Sequence, residues 1–457
     1  MKNIFFYTAL LLLGTACSEP STETDTEEVA AQPFFEIAPP IDALTKEAEV
    51  FTIDNSKDTI LISAHGSFIQ IPQNCFETAS GKPVAEAEIT FKEYQNVADI
   101  FLSGIPMNCM EGEDTMTFQS AGMCEVDAKS QGEQLRIAAD KKIDIGLRNR
   151  AKEGDYNLYY FNKQKGQWEE RENKLAVNPQ PLPQPPINPD EVDSNRILNV
   201  NIDNHEKRKR YKVWHKSKFY LLPGQQPKHA NEEVFWYDMN VLETGQPDVF
   251  IVRFSGVKDG KQYQEVLLTN PLVPKENYKE AMALFRDKMR LQAKVILEES
   301  EKIKAEKLSM DSLTARMERQ FKEEQFRDSV FQAEYEKSIL LTTEVTRTFS
   351  VNQLGLYNCD RFYTQPIVAE KAVNFTFDDS PVDFHYSALC HPADNAVLTY
   401  VPRNNNQFKI KLSNGQYYFV GVSGKLLLCA ELNASSPNGK IALQEISKEE
   451  LEALVSR

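Results

Sequence analysis

The chain has 457 residues, and its 52 Lys and Arg against 67 Asp and Glu give a net charge of −15 at pH 7. Hydrophobic residues make up 41% of the chain and aromatic residues 10%, which is enough for several folded cores and excludes a mainly disordered protein. A strongly acidic chain repels phosphate, so we expect no nucleic-acid partner.

The first residues have the pattern of a bacterial lipoprotein signal. Lys2 precedes an apolar run, residues 4–13, which is too short to cross a bilayer as a helix. Small side chains at 14–16 then lead to Cys17, whose thiol would receive the lipid. We therefore predict a signal peptide over residues 1–16 and lipidation of Cys17. The alternative is an ordinary secretory signal with a chance cysteine.

Residues 17–33 are predicted to form an acidic, disordered tether. Residues 18–28 contain five acids, no base and no large apolar side chain, so they cannot bury enough surface to fold. This stretch resembles the acidic segment that follows the lipidated cysteine in surface lipoproteins of Bacteroidetes. The resemblance implies a lipid-anchored outer-membrane protein at the cell surface. A spacer without address content is the alternative.

Short alternating strands separated by turn residues predict a β-sandwich over residues 34–170. Residues 59–62 and 67–71 flank a His-Gly turn and predict a hairpin. Residues 87–92 alternate, with Ile89 and Phe91 on one face.

One part of this segment is similar to a known module. Residues 66–76 and 81–84 resemble the β-sandwich module of netrin receptors, ankyrins and zonula-occludens scaffolds, and also uncharacterised Bacteroidetes lipoproteins that carry such a module. Residues 99–107 and 118–123 look like the same group. The resemblance implies an interaction module without catalytic residues. Cys75 stands where a small apolar residue is expected, so we predict that it is buried.

The middle of the chain is predicted to contain a linker, a second β unit and a helix. Residues 171–195 are Pro-rich and predict an extended spacer, and residues 196–273 contain further strand-like runs. Residues 275–338 lack Gly and Pro, so residues 274–340 predict a long helix or a helical hairpin. Apolar residues recur there at every seventh position, namely Met282, Met289, Ile296, Ile303, Met310 and Met317.

The companion positions of this repeat are partly polar, which gives only half a coiled-coil seam. We expect the helix to pack on the chain's own domains, and dimerisation through residues 275–338 is the alternative. A C-terminal β-sandwich is predicted over 345–445, with an Asn-Gly hairpin at 413–416. A short helix over 446–457 begins with a capping box of Ser447 and Glu450.

The fold class predicted from these elements is mainly β, with one long helical insertion and several β-sandwich domains. Each half of the chain carries three further cysteines and holds at most one disulfide, or else buried free thiols. These cysteines are Cys75, Cys109 and Cys124, then Cys359, Cys390 and Cys429.

Two candidate sites stand out, although no catalytic motif is present and no cofactor is expected. Cys359, His385 and Cys390 form a candidate thiol site, because a thiolate beside an imidazole base is a nucleophile. Core cysteines are the alternative. Trp214, Trp236 and Tyr237 form a weak ligand site that would stack on a sugar, and core packing is the alternative. The six histidines are scattered along the sequence, so folding would have to assemble a metal site, and its residues stay unknown at this point.

These observations predict a non-catalytic scaffold or adhesin-like binding protein, anchored to the outer membrane by lipid, with a protein or glycan partner. One alternative is a glycan-binding lipoprotein of a nutrient-uptake system. Another is a periplasm-facing partner of an envelope assembly.

Overall fold

The structure is a computed structural model of the chain. It describes residues 37–111, 114–149, 155–172, 175–178, 182–199, 213–214, 218–222, 225, 234–243, 248–306, 344–400 and 407–455. The predicted signal peptide, Cys17 and the tether lie outside the described residues, as do Met310 and Met317.

The part of the chain before residue 179 is built from strands and one short helix. In chain order these are β1 (Glu49–Asp54), β2 (Thr59–Ile62), β3 (Phe68–Ile71), β4 (Phe76–Thr78), β5 (Glu86–Tyr94), α1 (Val97–Ser103), β6 (Asn108–Glu111), β7 (Asp114–Ser130), β8 (Glu133–Ile137), β9 (Ile143–Asn149), β10 (Asn157–Asn162), β11 (Gln167–Arg171) and β12 (Ala176–Asn178). The predicted hairpin at 59–71 is confirmed, because β2 and β3 pair antiparallel.

The middle of the chain forms an antiparallel sheet followed by a long helix. Its elements are β13 (Ile197–Asn199), β14 (Lys218–Leu221), β15 (Phe235–Glu243), β16 (Phe250–Lys258), β17 (Lys261–Pro271) and α2 (Tyr278–Glu306). The strand order is β13-β14-β17-β16-β15, and we call it the inserted sheet.

The rest of the chain is again mainly β and ends in a helix. Its elements are β18 (Val345–Val351), β19 (Gly355–Phe362), β20 (Ala369–Phe377), β21 (Ser380–Pro381), β22 (Tyr386–His391), β23 (Ala396–Thr399), β24 (Gln407–Leu412), β25 (Tyr417–Ser423), β26 (Leu426–Leu432), β27 (Gly439–Ala442), β28 (Gln444–Glu445) and α3 (Lys448–Val455). The predicted capping box is confirmed: the Glu450 amide donates to the Ser447 hydroxyl, and the Ser447 amide donates to the Glu450 carboxylate. The predicted fold class, mainly β with one long helix, is also confirmed.

The first sandwich is made from both ends of the chain. One of its sheets has the order β12-β18-β9-β3-β2, and the facing sheet contains β1, β5, β7, β19 and β10. The core between them holds Phe91 of β5, Ile145 of β9 and Phe349 of β18. Cys75 is buried in this core, as predicted.

Two strands that follow residue 344 are therefore integral to this sandwich. Strand β18 pairs with β9 along its whole length, and β19 lies between β7 and β10. The boundary predicted at residue 345 falls between strands of one sandwich. A sequence pattern indicates a strand but not its partner, because the pairing groups belong to the backbone.

The second sandwich packs β20, β24 and β27 against β22, β25 and β26. Its core is aromatic, with Phe375 stacked on Phe419 at 3.7 Å between ring centroids. The predicted tight hairpin at 413–416 is wrong, because β24 pairs with β20 while β25 pairs with β22 and β26. Leu412 and Tyr417 enter the same core, so the turn carries the chain from one sheet to the other.

The two sandwiches share one continuous sheet. Strand β23 joins β7 through the pair Ala396 and Gln119, and helices α1 and α3 cover the joined face with Phe101 and Leu451. The described part of the chain therefore has a two-sandwich body, with the inserted sheet and α2 entering between β12 and β18.

Both ends of this insertion are tied to Arg148 at the end of β9. Asn178 of β12 pairs with Thr346 of β18, so the chain leaves and returns on adjacent strands. The Arg148 side chain is 3% exposed, donates to the Pro183 carbonyl at 2.7 Å and forms an ion pair with Glu344. We call Arg148, Pro183 and Glu344 the Arg148 clasp. Part of the predicted linker is therefore packed rather than a free spacer.

Helix α2 packs on the outside of the first sandwich through the predicted seven-residue repeat. Met289 and Ile296 are buried with Phe285 against Ile62 and Phe68. One repeat further on, the helix meets β12. The described residues thus form no coiled coil, and this part of the repeat faces the chain's own sheet.

We expect the substitution Arg148→Met to lower the free energy of unfolding by about 3 kcal/mol, because the Pro183 carbonyl and the partly buried Glu344 carboxylate would both lose a buried, charged donor. Urea unfolding followed by circular dichroism measures this. Arg136→Met is the control, since Arg136 pairs with Glu77 at 2.8 Å but is more than half exposed and its loss costs less than about 1 kcal/mol. Equal losses in the two variants would contradict the clasp.

Candidate functional site

The three members of the candidate thiol site lie in different surroundings. Cys359 is buried in the core of the first sandwich, and Cys390 is buried in the core beneath α1. His385 is exposed, and its Nε2 lies 3.2 Å from the Pro40 carbonyl. Burial raises the pKa of the Cys359 thiol to about 12 and raises that of Cys390 further. The structure does not bring the three together, and the buried thiols are held in the protonated form.

The other described cysteines follow the same trend. The six cysteines that the structure describes form no disulfide bond with one another, and five of them are buried. Burial raises the pKa of Cys75 and Cys429 to about 12. Of the two arrangements left open by the sequence, the five buried cysteines show thiols packed as small apolar side chains.

The predicted aromatic site divides into packed and exposed side chains. Trp214 contacts Phe250 edge-on, and Trp236 contacts Phe254, each at 5.8 Å between ring centroids. Both tryptophans are half-buried on the inserted sheet. Tyr237 is different, because 53% of its surface is exposed. The tryptophans therefore serve packing, and Tyr237 remains available for contact.

Tyr237 lies on an open edge of the inserted sheet. Strand β15 is the last strand in the sheet, and its register with β16 shifts between Trp236 and Asp238. Its outer side pairs with no strand among the described residues. Phe235, two positions before Tyr237, is 71% exposed, and the sequence analysis did not single it out. We call Phe235 and Tyr237 the aromatic edge.

A cleft of about 420 Å³ lies beside the end of α1. Its walls come from the segment before β1, the end of α1 and the outer face of the sheet at β5, β7 and β19. The apolar lining consists of Ile37, Pro39, Ile105 and Leu356.

Two lysines and one carboxylate supply the charge of this cleft. The Lys163 ammonium donates to the Glu125 carboxylate at 3.0 Å. Lys92 lies directly across the β5–β7 pair from Glu125 and forms no ion pair with any residue that the structure describes. These charged residues were not predicted from the sequence as a site. The alternating pattern of β5 indicates where Lys92 lies, because it puts this residue on the face of the strand opposite the buried Phe91.

A buried polar network joins the two sandwiches. The Asn395 amide donates to the Ser120 carbonyl at 2.9 Å, and the Ser120 hydroxyl donates to Asn358 at 3.0 Å. The Asn358 amide in turn donates to the Asp360 carboxyl. Burial raises the pKa of Asp360 well above its usual range. Burial thus favours the protonated form of this carboxyl, which belongs to the buried hydrogen-bond network.

One histidine and carboxylate pair lies nearby. His391 Nδ1 is 2.9 Å from the Asp394 carboxylate, and the imidazole stacks on Tyr417. Its Nε2 is buried and makes no hydrogen bond with the described residues. The Tyr363 hydroxyl lies 3.4 Å from the same Nδ1 and 2.7 Å from the Tyr417 hydroxyl, so the imidazole belongs to a hydrogen-bonded network of hydroxyl groups.

The described residues contain neither a group of side chains that could hold a metal ion nor a helix that could cross a membrane. Among the described residues, no three His, Cys, Asp or Glu side chains come together in a group that could hold a metal ion. Of the helices that the structure describes, none has both the length and the apolar character to cross a bilayer.

No protein-family model, no curated protein and no solved structure matches this chain. The resemblance to netrin-receptor, ankyrin and zonula-occludens modules stays a prediction from short segments. The function must therefore be argued from the geometry of the two surfaces, the aromatic edge and the cleft.

We expect the substitution Asp360→Asn to stabilise the protein at pH 8 and to have little effect at pH 4. The native carboxyl has a raised pKa, so the unfolded chain ionises first and stability falls as the pH rises above about 3.9, by at most about 1.4 kcal/mol per pH unit. An amide cannot ionise and removes this loss. Urea unfolding at pH 4, 6 and 8 measures the difference between variant and wild type.

Asp54→Asn is the matched control with the opposite sign. Asp54 is exposed, and its hydrogen bond with Lys57 lowers its pKa to about 2, so the native carboxylate gives a small stabilisation that is present above about pH 4 and lost toward pH 2. A constant difference between Asp360→Asn and wild type at all three pH values would show that Asp360 is ionised in the fold.

Proposed function

We propose that this protein is a non-catalytic binding protein, a scaffold or adhesin, which is anchored by lipid to the outer membrane and exposed at the cell surface. The lipoprotein-like signal over residues 1–16, Cys17 and the acidic tether support the location. The buried, protonated thiols and the neutral Asp360 support a role without catalysis.

The aromatic edge is the observation that carries the binding role. Phe235 and Tyr237 are 71% and 53% exposed on the outermost strand of the inserted sheet. Neighbouring exposed aromatic side chains leave apolar surface in water, and aromatic residues dominate the energy of protein interfaces. An exposed strand edge also offers unpaired backbone N–H and C=O groups.

The partner that fits this surface is an extended segment of another protein. Strand β15 spans nine residues and pairs on one side only among the described strands. An added strand would pair along the outer side of β15, while the two aromatic rings would select apolar side chains on that strand. The Arg148 clasp fixes the insertion to the body, so force on this edge would pass to the first sandwich.

We expect beads coated with the chain to bind neighbouring cells, and the double variant Phe235→Ser with Tyr237→Ser to reduce binding at least tenfold. Val50→Ser is the control, because Val50 is 57% exposed on β1, a strand that pairs with β5 alone. It should leave binding unchanged. Bead-bound cells are counted by microscopy, with free oligosaccharides added in a second series.

Two outcomes would contradict the proposal. If the double variant binds as well as wild type, the aromatic edge is not the binding surface. If free oligosaccharides abolish binding, the partner is a glycan. Protease added to intact cells should also degrade the chain, and degradation only after lysis would support the periplasm-facing alternative.

A further inference from the structure

The cleft beside α1 is held open by contacts of its own walls. Gly104, at the end of α1, has a φ of 68°, and a Cβ there would lie 2.2 Å from the Ala38 carbonyl oxygen. The segment before β1 can therefore approach this turn only because residue 104 is glycine. Lys46 then pairs with Asp99 of α1 at 2.9 Å. Both contacts fix the segment that forms one wall, so the cleft is preformed.

One lysine in the floor of the cleft, Lys92, is not part of an ion pair among the described residues. The Lys163 ammonium forms an ion pair with the Glu125 carboxylate at 3.0 Å. The Lys92 ammonium forms no ion pair with any residue that the structure describes. Tyr94 lies two positions along β5, on the same face as Lys92, and also lines the cleft. Burial raises the pKa of Tyr94 far above its usual range, so it remains a neutral hydroxyl that can donate a hydrogen bond.

The hydroxyl group of Ser103 is already used by hydrogen bonds within the protein. The Ser103 hydroxyl, also in the lining, donates to the Ile100 carbonyl at 2.6 Å and accepts from the Ile105 amide at 3.1 Å. Thr45 is a further polar residue of the lining, and Ile37, Pro39, Ile105 and Leu356 form its apolar part. A ligand that fits has one anionic group for Lys92 and Tyr94 and a hydrophobic body for the wall.

We propose that this cleft binds a small amphiphilic anion, with one carboxylate or phosphate group and a short apolar chain. Its volume of about 420 Å³ falls within the range of small-molecule sites, which is about 300–1,000 Å³. The anion accepts hydrogen bonds from the Lys92 ammonium and the Tyr94 hydroxyl, and the chain lies against Ile105 and Leu356. This site is separate from the aromatic edge and does not depend on its role.

Isothermal titration of the full chain with decanoate, decyl phosphate and decanol tests the proposal. All three probes carry the same alkyl chain, so they differ only in the head group. We expect at least one anion to bind ten or more times more tightly than decanol. The tighter of decanoate and decyl phosphate identifies the head group, carboxylate or phosphate, that the cleft prefers.

Substitutions then locate the site. Lys92→Met keeps an unbranched apolar side chain and removes the ammonium group, so it should weaken binding of the anion at least tenfold and leave binding of decanol unchanged. Lys129→Met is the matched control, because Lys129 is an exposed lysine on β7 outside the cleft. Tyr94→Phe, which removes only the hydroxyl, should weaken binding of the anion about threefold to tenfold.

The proposal is overturned if none of the probes binds, if decanol binds as tightly as the anions, or if Lys92→Met and Lys129→Met behave alike. The unfolding midpoint of each variant is measured in urea, and Tyr94→Phe supplies a second test if Lys92→Met is unstable. Bead adhesion through the aromatic edge is scored separately, so failure of one proposal does not imply failure of the other.

Discussion

The backbone pairing of β18 with β9 is the constraint on which the rest of this structure depends. It brings the chain back into the first sandwich after an insertion of more than 160 residues, from 179 to 344. The returning strands complete the core with Phe349 and Tyr357. The Arg148 guanidinium stabilises the same region, because it donates to the Pro183 carbonyl where the chain leaves and pairs with Glu344 where the chain returns. The first sandwich therefore cannot be completed by the N-terminal residues alone.

The cleft belongs to the body formed by the two sandwiches, whereas the aromatic edge belongs to the inserted sheet. The two sandwiches share β7, the core beneath α1 and the network around Asp360, so they are joined by packing and by hydrogen bonds. The inserted sheet leaves the body at one site and exposes the aromatic edge. The cleft is lined by Ile37, which lies close in sequence to the predicted tether. The two proposals assign different kinds of ligand to the two surfaces.

The structural features that depend on residues close together in the sequence could be predicted from sequence patterns. The hairpin at 59–71, the capping box at Ser447 and the buried repeat of α2 follow from alternation, side-chain hydrogen bonds and helical spacing. Which strands pair with each other could not be predicted from the sequence, because every strand offers the same backbone N–H and C=O groups. The Asn-Gly turn at 413–416 shows the limit, since its signal fits a hairpin but the buried side chains of both strands require a crossing between sheets.

The candidate sites show the same division. Burial of Cys75 could be predicted from one residue and its neighbours, whereas the separation of Cys359 from Cys390 depends on which core each strand faces. Lys92 and Lys163 are 71 residues apart in sequence and meet only through Glu125. The cleft is built from five stretches that are distant in sequence, at 37–45, 92–105, 125, 163 and 356, and no one of them predicts it. Exposure of Phe235 likewise depends on β15 being an edge strand, which only the topology shows.

Native-state hydrogen exchange of the intact chain tests the central claim most directly, because it measures the free energy of opening for each strand. The amides of β9 and β18 should exchange with the same free energy and the same dependence on denaturant, as should those of β7 and β19. Opening of residues 345–362 at low denaturant, while β3 and β9 stay protected, would contradict the account. That result would make the N-terminal strands an independently stable unit.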